Sequence, residues 1–237
     1  MTSVVCLRPL ILSALFLLAA ACSPPGTRVP MPDAPAEPDP HSFARPAEAR
    51  VTHVALDLQA DFTARVLRGH ATLTLARRPD ARELVLDTRD LRITRVDDGG
   101  GRELAHRLEP AVAHLGQALV ITLPEIGSTV RVEYQTSPQA AALQWLAPAQ
   151  TAGKTHPYLY SQGQAILTRT WIPTQDSPGI RQTYEATITA PTPLRVVMSA
   201  DMQTPEGEDA GQGRRAFRFR LDQPVPPYLI ALAIGDI

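Results

Sequence analysis

Six histidines are the side chains of this sequence best suited to bind a catalytic metal ion. They are His41, His53, His70, His106, His114 and His156. A helical zinc site of the form H-E-x-x-H needs two histidines one turn apart, and none of the six is followed by glutamate. The closest pair, His106 and His114, would be separated by about 12 Å along a helix or about 26 Å along a strand. Neighbouring histidines of one element are therefore not expected to share a metal ion.

Other side chains that could take part in catalysis have simpler structural explanations. Ser161 and Ser199 do not lie in G-x-S-x-G, and no histidine completes a recognisable nucleophile motif. Asp176 precedes Ser-Pro, a pattern typical of a carboxylate that accepts hydrogen bonds from nearby backbone N–H groups in a turn. The acidic group at 206–209 lacks the alternation of a calcium-binding loop, so we predict a solvated turn there.

Composition narrows the class of protein. With 237 residues the chain can form one large or two small domains, and 44% hydrophobic residues suffice for a sizeable core. The formal charge is -1, and no basic run is interleaved with aromatic residues. We therefore predict no nucleic-acid partner.

The chain begins with an apolar run at 10–21 that is too short for a stable membrane span. It fits the core of a signal peptide, so we assign residues 1–21 to a targeting segment. Cys6 would be removed with it, leaving Cys22 as the one cysteine of the mature chain. No internal disulfide is then possible, and the domain must be stabilised by its core.

Two interpretations of the end of this segment remain open. Small residues at Ala19 and Ala21 suit ordinary signal cleavage, whereas small residues directly before Cys22 resemble a bacterial lipobox. We favour lipidation of Cys22, which would attach the protein to a membrane through a lipid anchor. Ser23 follows the cysteine, as in lipoproteins sent to the outer membrane. The expected location is therefore the cell envelope, in the outer membrane or periplasm of a Gram-negative bacterium.

Residues 22–46 are rich in proline and almost without apolar side chains. Because proline fixes φ and removes a backbone donor, this segment is predicted to be an extended, semi-rigid tether. The remaining residues, 47–237, are predicted to form the folded domain.

Apolar residues alternate with polar ones through most of the folded part, which is typical of strands with one buried face. The runs lie at 54–58, 71–75, 84–86, 91–93, 119–123, 130–134, 184–188, 194–198 and 217–221. Turns are predicted at 97–101 and 205–207, where glycine, aspartate and proline cluster. The run Tyr228–Ile234 is apolar at every position and predicts a strand covered on both faces. The fold class is therefore all-β, with packed sheets in a sandwich or saddle-like arrangement.

Three stretches, at 134–146, 156–178 and 225–232, carry a resemblance to one family. The first contains S-P-x-x-x-x-L-Q-W-L and the second contains P-Y-L-Y-S-Q-x-Q-A. They resemble the N-terminal domain of the M1 zinc aminopeptidases, in particular the leukotriene A-4 hydrolase branch. The resemblance covers the chain from about residue 45 onward and implies a saddle-shaped all-β domain packed against a separate catalytic domain.

The same resemblance implies where the metal chemistry lies. In that family the catalytic domain carries a G-x-M-E-N loop and the H-E-x-x-H zinc site, which would follow Ile237. We therefore expect no cofactor in this chain, zinc in the parent enzyme, and no activity of the chain alone. The chain would be a fragment of that enzyme or the product of a truncated gene.

The resemblance also implies a set of substrate-binding residues. The position of Gln164 contacts the N-terminal end of the peptide substrate in the family, where many members have glutamate. Gln162 and Ala165 would line the same cleft, and strand alternation about Gly163 would put both glutamines on one face. The alternative is that both are ordinary strand residues.

Two functions follow as hypotheses. The first is the non-catalytic N-terminal domain of an exported M1-type aminopeptidase, which supports the catalytic domain and forms one wall of the cleft. The parent reaction would be the release of N-terminal residues from peptides. The second is a stand-alone lipid-anchored β-domain that binds a peptide or protein at the cell envelope.

Overall fold

The computed structural model describes residues 39–237. The predicted signal peptide, Cys22 and most of the predicted tether lie outside the described residues. In the part of the chain that is described, no helix has the length and apolarity needed to cross a bilayer.

Fifteen strands form the described part, and they begin where the alternating pattern begins. They are β1 (Ala49–Asp61), β2 (Val66–Arg77), β3 (Glu83–Thr88), β4 (Arg92–Asp97), β5 (His106–Leu108), β6 (Gln117–Thr122), β7 (Thr129–Gln135), β8 (Leu143–Leu146), β9 (Tyr158–Ser161), β10 (Gln182–Pro191), β11 (Arg195–Met198), β12 (Asp201–Met202), β13 (Glu208–Asp209), β14 (Arg214–Val225) and β15 (Leu232–Gly235). Helical structure within residues 39–237 is confined to three 3₁₀ turns, at Pro148–Gln150, Thr168–Thr170 and Pro227–Leu229. The predicted all-β class is confirmed.

The strands form three sheets. An eight-stranded sheet has the order β12-β14-β10-β1-β2-β7-β4, with β13 also paired to β14. A four-stranded sheet has the order β11-β15-β9-β8, and a three-stranded sheet has the order β3-β6-β5. Strands β1 and β10 run parallel, with Val54 opposite Tyr184, whereas the other described pairs, such as β1 with β2, are antiparallel.

One hydrophobic core joins the three sheets. The large sheet contributes alternate residues of its strands, such as Leu58, Leu73 and Phe217, all almost fully buried. The three-stranded sheet adds Leu86 and the four-stranded sheet adds Ile234 to the same cluster. Each sheet buries one face in this way, because a one-faced strand is stable only when another layer covers its apolar side.

The predicted strand over Tyr228–Ile234 is wrong in its first half. Pro226 and Pro227 begin a 3₁₀ turn that ends at Leu229, and Leu229 is exposed. The hydroxyl of Ser199 donates to the Leu229 carbonyl and accepts from the Ala231 N–H, at 2.6 and 2.9 Å. Because the fixed φ of proline suits a turn, β15 begins only at Leu232.

Candidate functional site

The three residues predicted to line a cleft lie together in one surface loop. Strand β9 of the four-stranded sheet ends at Ser161 and leads directly into residues 162–165, here called the glutamine loop. Gln162, Gln164 and Ala165 are exposed, whereas Gly163 between them is buried. The structure therefore brings the predicted residues together and leaves their side chains accessible.

The strand does not continue through the two glutamines as predicted, because the chain turns after Ser161. Both glutamines are nevertheless exposed with Gly163 buried between them, so they share the exposed side that alternation predicted. A Cβ placed on Gly163 would lie 2.9 Å from Cα and 3.0 Å from the carbonyl oxygen of Tyr228. The carbonyl of Gly163 accepts a 2.9 Å hydrogen bond from the Leu167 N–H, which closes a tight turn. The close contact with the Tyr228 backbone ends the strand, and the turn places both glutamines on the surface.

The backbone where β9 passes into the loop is held on two sides. The Gln162 N–H donates to the Ala142 carbonyl at 2.8 Å, and the Ser161 hydroxyl oxygen accepts from the Leu232 N–H at 2.8 Å. The glutamine loop therefore projects from a fixed base.

A buried ionic cluster is centred on Arg169, in the 3₁₀ turn that follows the loop in the sequence. Arg169 is fully buried, and its Nε lies 3.2 Å from Oδ2 of Asp176. Its Nη1 lies 3.7 Å from Oδ1 of Asp87, which is also fully buried. Nη1 also donates to the Leu115 carbonyl at 2.8 Å, and Nη2 donates to the carbonyls of His41 and Asp176 at 2.7 and 3.0 Å. Buried charges are tolerated only when they are paired and hydrogen-bonded in this way.

The cluster also holds the segment 39–43, which belongs to the end of the predicted tether. Asp87 accepts hydrogen bonds from the Ser42 hydroxyl at 2.6 Å and from the Phe43 N–H at 2.7 Å. The Phe43 side chain packs against a small apolar cluster that includes Val85 and Val120. These residues are thus bound to the surface of the domain.

Sequence reasoning predicted a structural role for Asp176 but missed this cluster. Asp176 does accept a backbone hydrogen bond, from Arg169 at 3.1 Å, and its own N–H donates to Asp87 at 2.8 Å. The local Asp-Ser-Pro pattern indicated the turn. The same pattern did not indicate the contact with Asp87, which lies 89 residues earlier in the chain.

We expect Asp176 to make folding stability depend on pH. Burial raises the pKa of its carboxyl from 3.8 to about 6, although Arg169 acts in the opposite direction. The folded state then binds more protons than the unfolded state, so the contribution of Asp176 falls as pH rises from 3.8 to about 6. Removing this carboxyl with Asp176→Asn should flatten the dependence by about 1–3 kcal/mol over that window.

Urea unfolding of both proteins at several pH values between 4 and 7 measures this difference. Because other carboxylates titrate in both proteins, the pH dependence of the difference isolates Asp176. Parallel curves for the two proteins would contradict the assignment.

The histidines do not form a metal centre in the described residues. Among residues 39–237, no three His, Cys, Asp or Glu side chains lie close enough together to bind an ion. Individual histidines instead have local partners, such as the Thr183 hydroxyl 2.7 Å from Nδ1 of His53. These residues do not fit a zinc site, and no metal-dependent step is assigned to them.

A shallow groove of about 550 Å³ lies on the outer face of the large sheet, away from the glutamine loop. Two of its charged side chains, Arg131 and Glu133, pair at 3.3 Å, and Nη2 of Arg131 lies 3.4 Å from Nδ1 of His70. We interpret it as a solvated sheet face.

Comparison with known proteins decides the family. Residues 50–229 match the Peptidase M1 N-terminal domain. The chain belongs to the M1 peptidase family. The predicted resemblance is therefore confirmed, and the described strands form an M1 N-terminal domain.

Two curated relatives of this M1 domain illustrate how much of the family the chain spans. Leukotriene A-4 hydrolase of Xenopus laevis is 40% identical over 205 residues, which are 84% of this chain and 34% of that protein. Leucine aminopeptidase 2 of Yarrowia lipolytica is 35% identical over 217 residues, or 89% of this chain and 32% of that protein. The chain thus spans about a third of the length of these relatives.

Solved structures agree with the fold of the M1 domain. The structure of yeast LTA4 hydrolase in complex with bestatin is similar at a TM-score of 0.75 and 32% identity, over 85% of this chain and 31% of that chain. An M1 zinc metallopeptidase from Deinococcus radiodurans is similar at a TM-score of 0.64 and 22% identity, over 82% and 44% of the two chains. The second likeness bears on the fold alone.

Proposed function

We propose that this chain is the non-catalytic N-terminal domain of an exported M1-type zinc metalloaminopeptidase. It supports a catalytic domain and forms one wall of the substrate cleft. The observation that carries the proposal is the match of residues 50–229 to the M1 N-terminal domain. Relatives named for aminopeptidase activity, such as leucine aminopeptidase 2, support the parent reaction, which is the release of N-terminal residues from peptides.

The glutamine loop is the proposed contribution of this domain to the cleft. The exposed carboxamide of Gln164 offers a carbonyl oxygen that can accept a hydrogen bond from the ammonium group of a peptide. A neutral acceptor binds an ammonium more weakly than a carboxylate does. Gln162 and Ala165 flank it on the same exposed turn and complete this part of the wall.

The chemistry of bond cleavage is assigned to the catalytic domain. Zinc bound there would activate the water that attacks the peptide bond. The residues of this chain bind and orient the amine end of the substrate, which places the first peptide bond at a fixed distance from the reacting centre.

The purified 237-residue chain is expected to bind no stoichiometric zinc and to hydrolyse no aminoacyl substrate. The reason is that residues 39–237 contain no group of three metal-binding side chains. Metal analysis and a chromogenic assay measure both properties. Zinc-dependent turnover that survives rigorous purification would contradict this expectation.

Attachment to the cell envelope is a second part of the proposal. It rests on the signal-like apolar run and on Cys22 directly after it. Mass spectrometry of the wild type and of Cys22→Ala tests it, since only the wild type should carry lipid. A wild type without lipid would favour plain secretion.

A hybrid enzyme tests the role of the loop. Residues 47–237 of this chain would replace the matching N-terminal part of leucine aminopeptidase 2 of Yarrowia lipolytica, which is 35% identical. In this hybrid enzyme, Gln164→Ala should raise KM for a leucyl peptide about tenfold, because an acceptor for the substrate ammonium is lost. Gln164→Glu should lower KM, because a carboxylate pairs with the ammonium.

Gln203→Ala is the matched control, since Gln203 is also exposed but lies beside the large sheet. It should leave KM unchanged. An active hybrid enzyme whose KM ignores both changes at Gln164 would refute the cleft-wall role. Steady-state kinetics with leucyl peptides of two lengths supply the measurement.

A further inference from the structure

The two glutamines of the loop have different hydrogen-bonding states. The carboxamide oxygen of Gln162 accepts a 2.9 Å hydrogen bond from the backbone N–H of Gln164. This contact joins the side chain of one residue to the backbone of the next glutamine and closes a small ring. The oxygen of Gln162 is therefore engaged within the loop.

Gln164 differs, because its backbone is held while its side chain is not. Within residues 39–237 its carboxamide makes no hydrogen bond, and the residue is exposed. The preceding residue, Gly163, lies so close to the Tyr228 backbone and to Thr168 that a Cβ would not fit. The main chain at Gln164 is thus restrained by the packing of Gly163 and by the hydrogen bond to the Gln162 side chain.

We infer that Gln162 is a positioning residue and that Gln164 alone presents a free carboxamide to the amine end of a ligand. This inference rests on the proposed function for the identity of the ligand. The Gln162 side chain fixes the direction in which the Gln164 side chain leaves the backbone. Less conformational entropy is then lost when a ligand orders Gln164, because the residue is already preorganised.

The first experiment uses the full 237-residue chain and does not depend on any activity. Amide hydrogen exchange at Gln164 would be measured by NMR in the wild type, in Gln162→Met and in Gln162→Glu. Methionine has a similar length but lacks the carbonyl acceptor, so exchange at Gln164 should be about fivefold faster. Glutamate keeps an acceptor oxygen and should restore exchange to within about twofold of the wild type.

Gln203→Met serves as the control and should leave exchange at Gln164 unchanged, because Gln203 bonds to Asp201 on a different sheet. Unchanged exchange in Gln162→Met would overturn the inference. So would a failure of Gln162→Glu to restore protection, since the loss would then reflect packing and not the hydrogen bond.

The second experiment is a double-mutant cycle in the hybrid enzyme. Gln162→Met should raise KM about fivefold with kcat within about twofold, and should add nothing further when Gln164 is already alanine. An equal rise of KM in both backgrounds would show that Gln162 contacts substrate directly, and would overturn the positioning role.

The two experiments separate this inference from the proposed function. If substitutions at Gln164 leave KM unchanged while Gln162→Met still speeds amide exchange at Gln164, the cleft-wall proposal and the ligand role of Gln164 fail. The restraint of the loop by Gln162 then stands. If substitutions at Gln164 change KM but Gln162→Met leaves amide exchange at Gln164 unchanged, the proposed function stands and the positioning role is refuted.

Discussion

Replacing Arg169 by methionine is expected to destabilise the domain by about 3–5 kcal/mol, because two buried carboxylates lose their cation. Asp87 and Asp176 are both almost fully buried, and Arg169 lies within 3.7 and 3.2 Å of them. Methionine fills a similar volume, so a cavity contributes little to the loss. The segment 39–43 should also lose the bond from Arg169 to the His41 carbonyl.

Urea unfolding of Arg169→Met and of Arg78→Met provides the comparison. Arg78 pairs with Asp80 at 3.0 Å, but both side chains are mostly exposed, at 64% and 69%. An exposed pair contributes about 0–1 kcal/mol, so Arg78→Met should unfold almost like the wild type. A loss at Arg169 of the same size as that at Arg78 would show that the cluster is not buried as described.

Gly163→Val is expected to have the largest effect on function. Any Cβ at this position would meet the Tyr228 backbone at 2.9 Å and the Thr168 hydroxyl at 2.8 Å. Because one of the clashing groups is backbone, the glutamine loop must move to relieve the contact. A displacement of about 1 Å can cost 100-fold in catalysis when it misplaces a substrate-binding group. We expect kcat/KM of the hybrid enzyme to fall between about 10-fold and 100-fold.

Gly153→Val is the matched control, because a Cβ at Gly153 meets no atom within 4 Å. It should leave kcat/KM within about twofold of the wild type. Thermal unfolding of both variants shows whether Gly163→Val alters the loop alone or the whole domain. Full activity in a folded Gly163→Val protein would mean that the position of the loop does not matter for substrate binding.

The alternating pattern predicted nine of the fifteen described strands and missed the short strands β5, β8, β9, β12 and β13. Val54, Leu56 and Leu58 alternate in the sequence and are all buried in β1. The pattern works because successive side chains of a strand point to opposite faces, so a half-buried strand needs an apolar residue at every second position. A different pattern, the continuous apolar run at 228–234, wrongly predicted a strand at Tyr228–Leu229, where the chain follows two prolines and forms a turn.

The glutamine loop was identified only in part. The motif around Gln162, Gln164 and Ala165 indicated the residues, through resemblance to the M1 family. The conformation of these residues could not be predicted from the motif, because the turn depends on contact between Gly163 and Tyr228, which are far apart along the chain. A glycine within an apparent strand can mark a close approach of backbone, which is a signal that could have been used.

Only the tertiary structure revealed which distant groups meet. Strand β1 pairs in parallel with β10, and His53 lies opposite Thr183; nothing local to either strand specifies that partner. Arg169 was not singled out from the sequence, yet it is fully buried and lies within 3.7 and 3.2 Å of Asp87 and Asp176. Periodicity records which face of a segment is covered, whereas the cost and compensation of burying a charge depend on neighbours that only the folded chain supplies.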